Sequence, residues 1–286
     1  IMDKKVSVVV GTRSAIFTPL ENIGVIIIDE EHSSNYKQEN NPRYNAKDVA
    51  LWRSKYNSCP VVLGSATPSL ESMARAQKGV FTLLTLQNRI GKAKLPEITI
   101  VDMKEEYQKG NSTISEALDK EIKEALNNNK QVMLFLNRRG FNTFVTCRNC
   151  GYTYKCPNCD ITLTYHKTSN NLRCHYCGYT LLYNDICPEC KEKALTSLGL
   201  GTEKLEEEIK TKYPDAKVLR MDADTTTRKG SHEKYIQMIE NGEVNIIVGT
   251  QMISKGLDFP NVTVVGVINA DESLNIPDFR SGEYTY

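Results

Sequence analysis

The sequence predicts an α/β fold built on parallel sheets, with a metal-binding insertion in its second half. Three observations predict it. Short, continuously apolar, β-branched runs recur along the chain, as strands covered on both faces of a parallel sheet require. Each run ends in a polar or glycine-bearing loop and is followed by helical spacing, the pattern of βαβ units. Eight of the nine cysteines fall between positions 147 and 190 as four Cys-x-x-Cys knuckles, a pattern with a different physical origin from the sheet around it.

Taken in order, the first strand is expected at Val6 to Val10 and the second at Val25-Ile26-Ile27-Ile28, with Asp29-Glu30-Glu31-His32 at its carboxyl end. Pro60-Val61-Val62-Leu63 precedes Gly64-Ser65-Ala66-Thr67-Pro68-Ser69, and Asn245-Ile246-Ile247-Val248 precedes Gly249-Thr250-Gln251. In open α/β sheets ligand-binding loops gather at the carboxyl ends of strands, so these polar clusters stand where chemistry is expected. Cys59, alone before Pro60, reads as a buried apolar residue. From Gln87 to Asn111 runs a polar, Gly- and Pro-punctuated connection with one short strand, Ile98 to Val101, and a lobe boundary is expected there. Ser115 to Asn128 carries Ala117, Leu118, Ile122, Ala125 and Leu126 at helical spacing, with a capping box from Thr113 to Glu116. A second helix covers Glu203 to Lys212, its charged run a solvated face.

The knuckles are Cys147/Cys150, Cys156/Cys159, Cys174/Cys177 and Cys187/Cys190. Each turn aims two thiolates at one tetrahedral ion, and two turns complete a four-sulfur shell, so two structural zinc ions are expected. Gly151 and Gly178 stand where the turn wants positive φ, and Pro157 and Pro188 follow Cys156 and Cys187. Four knuckles pair in three ways. A nested arrangement is favoured, Cys156/Cys159 with Cys174/Cys177 inside Cys147/Cys150 with Cys187/Cys190; adjacent pairing would set the first two knuckles against one another across a very short connection. His175 is an available substitute ligand, better read as a surface or nucleic-acid contact. A disulfide framework would need an oxidising compartment and usually a small secreted chain.

At 286 residues the chain has room for about two domains. A net charge of +1 neither supports nor excludes a nucleic-acid partner, which local basic patches decide. No apolar run is long enough to span a bilayer and nothing resembles a signal peptide, so a reducing cytoplasm and no membrane partner are expected. The ends, at Ile1 and Glu283-Tyr284-Thr285-Tyr286, read as those of a piece of a longer protein.

An aspartate ending a buried strand can hold Mg2+, and a neighbouring glutamate can orient or deprotonate water. Asp29 and Glu30 have that placement; by themselves two such carboxylates are more often a solvated turn. The order DEEH, Ser-Ala-Thr and Gly-Thr-Gln at successive strand ends shifts the balance. With these motifs the chain resembles the superfamily-two helicases, Asp29 to His32 as the Walker B box and Ser65-Ala66-Thr67 as motif III. More narrowly it is similar to the bacterial primosomal replication-restart helicases, through Val10 to Phe17, Gly64 to Ser69, Asn137-Arg138-Arg139-Gly140, the eight-cysteine insertion, Gly199 to Glu203, Asp222 to Thr226 and Gly249 to Pro260.

The resemblance implies two RecA-like lobes, the first partial, with a zinc-ribbon-type double-zinc insertion in the second. Its divisions are residues 1–86 for the carboxyl-terminal part of lobe 1, 87–114 for the connection, 115–146 and 192–286 for lobe 2, and 147–191 for the insertion. It implies that Asp29 supports Mg2+ on ATP and that Glu30 is the general base. His32, Ser65 and Thr67, with Gly256 and Asp258 of motif V, would couple the nucleotide to lobe closure. Gly11, Thr12, Arg13, Arg43, Tyr44 and Lys255 would meet DNA, with Tyr36 to Asp48 as a loop sensing single strands.

The activity implied is ATP-dependent 3′ to 5′ unwinding at stalled forks, leading to primosome assembly in the bacterial cytoplasm. Implied partners are forked and single-stranded DNA, other primosome proteins and single-stranded-DNA-binding protein. The phosphate-cradling Gly-x-x-x-x-Gly-Lys-Ser/Thr loop is absent from the chain, and the arginine-finger motif is expected beyond Asp278-Phe279-Arg280, so this piece alone is expected to hydrolyse ATP feebly or not at all. The tyrosines Tyr152, Tyr154, Tyr165, Tyr176 and Tyr179, interleaved with Arg148, Lys155, His166, Lys167 and Arg173, read as a grip on the separating strands, as a dock for other primosome proteins, or as the small module's core. The competing readings are a zinc-ribbon platform for nucleic acid or protein on a catalytically silent α/β scaffold, and another superfamily-two motor.

Overall fold

The computed structural model describes residues 6–88, 95–111, 113–136, 144–198, 201–222, 225–226, 230–250, 259–275 and 280–285. It divides into two compact units, one reaching Leu95 and the other running from Pro96 to Thr285. This division falls inside the stretch 87–114.

In the first unit, strand β1 (Ile26–Ile28) leads through a short hairpin, the two-residue strands β2 (Lys37–Gln38) and β3 (Tyr44–Asn45), into helix α1 (Ala46–Asn57). Strand β4 (Val61–Leu63) then returns parallel to β1, Ile26 opposite Val61 and Ile28 opposite Leu63. Helix α1 starts where the Asn45 side chain accepts the Lys47 N–H at 3.0 Å and stops at Ser58, whose φ of 51° no helix can continue. Its buried face is small, Ala46 and Ala50. Helix α2 (Leu70–Gln77) is capped by Ser69.

Two sequence expectations differ here. Val6 to Val10 forms no strand; Val8 and Val10 are exposed and pair with nothing in a ladder among the described residues. Strand β1 is covered on one face rather than both: Ile28 is 5 % exposed but Ile27 is 67 % exposed. Apolar composition alone cannot register this, because it encodes the capacity for burial and not the neighbour that supplies it.

The second unit opens with α3 (Met103–Gln108) and α4 (Glu116–Asn127), followed by β5 (Gln131–Leu136). The cysteine-rich module follows from β6 (Phe144–Cys147) through the antiparallel sheet β7 (Thr164–His166), β8 (Asn171–Arg173) and β9 (Thr180–Leu182) to β10 (Leu195–Leu198). Strands β6 and β10 pair antiparallel, Cys147 opposite Leu195, and so form the stem on which the module stands. The chain resumes with α5 (Thr202–Lys212), β11 (Val218–Met221), α6 (Ser231–Glu240), β12 (Ile246–Gly249), β13 (Val262–Ile268) and α7 (Ser281–Thr285).

The main sheet has the order β11-β12-β5-β13, every neighbouring pair parallel. Alternation along β5 sends Val132, Leu134 and Leu136 to one face, where Ile122 and Ala125 of α4 and Leu205 and Ile209 of α5 cover them. Met133 and Phe135 face the other way, with Ile247 and with Ile239 of α6. This two-sided cover explains the unbroken run Val-Met-Leu-Phe-Leu. Burying each such aliphatic side chain contributes about 1.5–3 kcal/mol. Gly266 lets α4 approach β13: an added Cβ would lie 2.9 Å from Leu118 Cδ2. The amide of buried Gln131 donates to the carbonyls of Ile239 and Val244 at 2.8 and 2.9 Å, closing the turn between α6 and β12.

Two further differences lie in the connection. Ile98 to Val101 is not a strand; Ile98 and Ile100 are 80 % and 93 % exposed. Helix α4 is capped by Ser115, whose hydroxyl accepts the Leu118 N–H at 3.2 Å, not by a Thr113–Glu116 box. The Glu116 side chain is exposed, and its backbone N–H goes instead to Glu106 Oε2 at 2.7 Å.

Candidate metal centres and strand-end carboxylates

All four knuckles have one backbone geometry. In each, the residue four after the first cysteine donates its N–H to that cysteine's carbonyl: Gly151 to Cys147, Asp160 to Cys156, Gly178 to Cys174, Lys191 to Cys187, at 2.8 to 3.0 Å. Closing this turn puts that residue at positive φ, 79°, 52°, 78° and 63° respectively. Glycine adopts the conformation freely at two knuckles; Asp160 and Lys191 adopt it at the other two against a steric cost of about 1–2 kcal/mol. The cysteine backbone N–H donates back across the turn, for example Cys147 to Tyr152 O and Cys174 to Tyr179 O, both at 2.8 Å.

The turns bring eight sulfurs into two groups. Cys147, Cys150, Cys187 and Cys190 form the outer group and Cys156, Cys159, Cys174 and Cys177 the inner, each with its sulfurs within 4.8 Å of one another. Sγ separations of 3.6 Å (Cys147–Cys190), 3.6 Å (Cys150–Cys187) and 3.5 Å (Cys156–Cys177) approach the roughly 3.8 Å edge of a tetrahedron with zinc–sulfur bonds of about 2.3 Å. The donor set and the spacing therefore fit two structural zinc ions, paired in nested fashion. His175 belongs to neither group; its ring packs edge-on against His166 at 5.2 Å.

The thiols are already unequal. The backbone N–H of Glu192 donates to Cys190, and that of Tyr179 to Cys177, and each thiol is lowered to about 6. Burial pushes Cys147 up to about 12, and hydrogen bonding with Cys177 raises Cys159 to about 12. A divalent cation at the centre takes all four sulfurs as thiolates and reverses that upward push.

The metal groups sit within small cores. Tyr154 is buried with Val145, Leu163 and Leu172 around the inner group, and Tyr152, Tyr165 and Tyr179 pack on that cluster. Tyr176 alone of the five interleaved tyrosines is strongly exposed, at 71 %. Around the outer group, Tyr107 of α3 packs with Cys147, Cys187 and Ala194. The same helix presents Glu106, which joins Glu116 N as above, Asn111 Nδ2 at 2.9 Å and Lys109 Nζ at 2.8 Å. Helix α3 thus braces the outer metal group against the start of α4, a role without a sequence signature, because a six-residue helix has too little periodicity to read.

In the first unit, parallel pairing of β1 and β4 sets the DEEH and Ser-Ala-Thr loops side by side. His32 Nδ1 and Ser65 Oγ are 2.7 Å apart, and His32 Nε2 lies 3.3 Å from Glu30 Oε2. Asp29 Oδ1 accepts the Glu30 N–H at 2.9 Å, and Gly64 leaves room beside it, an added Cβ lying 3.4 Å from that oxygen. Glu30 has φ of 48°, a left-handed turn that carries its side chain out into solvent, half exposed. Thr67 enters through its backbone N–H, which donates to Ser65 Oγ at 3.0 Å.

Glu31 is the residue that sequence reasoning passed over. It is 1 % exposed and accepts from Ser69 N (2.6 Å), Ser69 Oγ (3.0 Å), Ser72 Oγ (2.9 Å) and Lys47 Nζ (2.8 Å). Burial pushes its carboxyl up, but these donors outweigh it and hold the group below the usual carboxylate range. A signal was present: Ser69-Leu70-Glu71-Ser72 is a helix start, and a buried partner for it was missing.

The remaining candidates are scattered along the first unit. Arg13 Nη1 donates to the carbonyls of Asn35 and Lys37, at 3.2 and 3.4 Å, and Gly11 and Thr12 precede it in exposed chain. Tyr44 meets Phe17 edge-on at 4.9 Å and lines a cavity of about 680 Å3 with Trp52 and Tyr56, while Arg43 lines a neighbouring one. Lys255, Gly256, Asp258 and Asn137 to Gly140 lie outside the described residues. Two further stretches meet in the second unit: Thr202 Oγ1 donates to Asp222 Oδ2 at 2.5 Å, tying the start of α5 to the end of β11.

Residues 156–181 match the family model of the PriA DNA helicase Cys-rich region domain, and residues 190–282 that of the helicase conserved C-terminal domain. The chain is 55 % identical over 284 residues to the replication restart protein PriA of Bacillus subtilis (strain 168), covering 99 % of the chain and 35 % of that relative. It is 46 % identical over 286 residues to the protein of that name from Synechocystis sp., covering 96 % of the chain and 34 % of the relative. For that of Haemophilus influenzae the identity is 44 % over 278 residues, 97 % and 38 %. The chain thus spans little more than a third of the length of these curated relatives. No helix among the described residues is long and apolar enough to cross a membrane.

Proposed function

This chain belongs to the PriA family of replication restart proteins, and from that premise we propose that it contributes ATP-driven 3′ to 5′ helicase function to replication restart, on forked and single-stranded DNA. The observation that carries the reading is the double four-cysteine module standing on the β6–β10 stem, inside a unit whose later residues match a helicase C-terminal domain. In this reading residues 1–86 belong to the first lobe, 87–114 connect, and 115–146 with 192–286 form the second lobe around the 147–191 insertion. The partners proposed are other primosome proteins and single-stranded-DNA-binding protein, in the bacterial cytoplasm.

The nucleotide residues follow from charge and direction. Asp29, at the carboxyl end of β1, would hold Mg2+, and ATP with that ion would supply the phosphoanhydride and its charge neutralisation. Glu30, turned outward, has a carboxylate free to take a proton from water, and His32 beside it orients that carboxylate while reaching Ser65. Ser65 and Thr67 share one hydrogen bond, so a shift of His32 is felt by the loop after β4. Gly256 and Asp258, as motif V residues, would couple the nucleotide to lobe closure. DNA would run past Gly11, Thr12, Arg13, Arg43, Tyr44 and Lys255, cations on phosphate and Tyr44 on a base.

The test is unwinding of a forked duplex with a 3′ single strand by the longer protein carrying these residues, with Asp29→Asn and Glu30→Gln. Loss of ATP-dependent unwinding with DNA binding retained is expected in both; undiminished unwinding in Glu30→Gln would remove Glu30 from the chemistry.

A further inference from the structure

The two metal groups are unequally covered. At the outer group no cysteine is exposed. Tyr107 packs on it, and an added Cβ at Gly151 would meet Lys104 Cδ at 3.4 Å, so α3 roofs that knuckle. At the inner group Cys177 is exposed, and Tyr176 beside it is open to solvent. Gly178, which occupies the same place in its knuckle as Gly151, has nothing within 4 Å of an added Cβ. Cys156 Sγ stands 3.5 Å from Cys177 Sγ, so a second sulfur is within reach of the exposed one.

We propose that the inner metal group is a peroxide-labile modification site entered at Cys177, whereas the outer group is a shielded structural centre. This rests on zinc occupying both groups. Susceptibility of a zinc-held thiolate to oxidation follows its access to solvent. The Cys177 thiolate attacks one oxygen of hydrogen peroxide: the S–O bond forms, the O–O bond breaks, and the departing hydroxide takes a proton to become water. Sulfur is oxidised by two electrons, to a sulfenic acid, and peroxide is reduced. The Cys156 thiolate then attacks that sulfur; the S–S bond forms, the S–O bond breaks, and a second water leaves after protonation. The disulfide removes two of four ligands, and the inner zinc is lost while the outer remains.

The test treats the zinc-loaded chain with limiting hydrogen peroxide. Released zinc is followed with a chromogenic chelator, and modified cysteines are mapped by mass spectrometry with a sulfenic-acid trap. One zinc equivalent is expected to leave at least about tenfold faster than the other, with Cys177 trapped first and a Cys156–Cys177 disulfide following. Cys177→His, which keeps a zinc ligand but removes the entry sulfur, is expected to slow the fast phase; should it fail to bind zinc, mapping in the unaltered chain decides. Loss of both zincs at one rate, or first modification at Cys147, Cys150, Cys187 or Cys190, overturns the inference while leaving the zinc reading intact. A chain that purifies with empty thiol groups overturns both.

Discussion

Glu31 and Ser69 are joined twice, the carboxylate accepting the serine's backbone N–H at 2.6 Å and its hydroxyl at 3.0 Å. The pair fastens the loop after β1 to the first turn of α2, while His32 and Ser65 link the same two loops alongside. Adjacent glutamates therefore have opposite tasks: Glu31 is buried and fully partnered, and Glu30 is half exposed.

Truncating Glu31 to alanine takes the carboxylate away from the Lys47 ammonium and two serines, leaving Lys47 with only the Ser69 hydroxyl at 3.3 Å among the described residues. A loss of about 3–5 kcal/mol is expected, as for breaking a buried ion pair from one side. Glu30→Gln is expected to stay within about 0.5 kcal/mol, as an exposed substitution does. Urea unfolding of both variants, with hydrogen exchange read at residues 70–77, checks the contrast; equal losses would contradict it.

Acid should weaken the packing of α3 and α4 progressively as pH falls through the carboxylate range. Hydrogen bonds from Lys109 and from the backbone of Glu116 lower Glu106 to about 2. Burial pushes Asp119 up, yet Lys123, Tyr213 and Lys212 together bring it to about 2. Both are lowered on folding, so their stabilisation is complete above the ordinary carboxylate range and is lost as pH falls from about 4.5 toward about 2. The Glu106→Gln and Asp119→Asn variants are expected to flatten the stability-against-pH curve in that window and not between pH 6 and 8.

The knuckles make a prediction of opposite signs. Lys191→Gly and Asp160→Gly relieve a left-handed residue and should raise resistance to zinc-competing chelators. Gly178→Ala and Gly151→Ala should lower it, each by about 1 kcal/mol. Chelator titration of the four variants checks the order, and a stabilising Gly178→Ala would contradict it.

Much of this was legible because the physics is local. A Cys-x-x-Cys turn declares its metal chemistry within a few residues, and the runs in β5 and β12 declare burial by composition. What escaped depended on distant partners. Val6 to Val10 and Ile98 to Val101 have strand composition but pair with no strand among the described residues. Thr113 and Glu116 have capping-box spacing, yet Glu106, ten residues earlier than Glu116, takes the N–H. Glu31 lay in plain view inside a motif, and only the fold shows that its carboxylate points inward.

Whether the four knuckles nest into two zinc centres is decided by the zinc content of paired cysteine variants. Replacing Cys147 and Cys187 together by serine is expected to leave one zinc per chain, because both belong to the outer group. Replacing Cys147 and Cys174 together is expected to remove both zincs, one ligand being taken from each group. No zinc in the first variant, or one retained in the second, would contradict the nested arrangement.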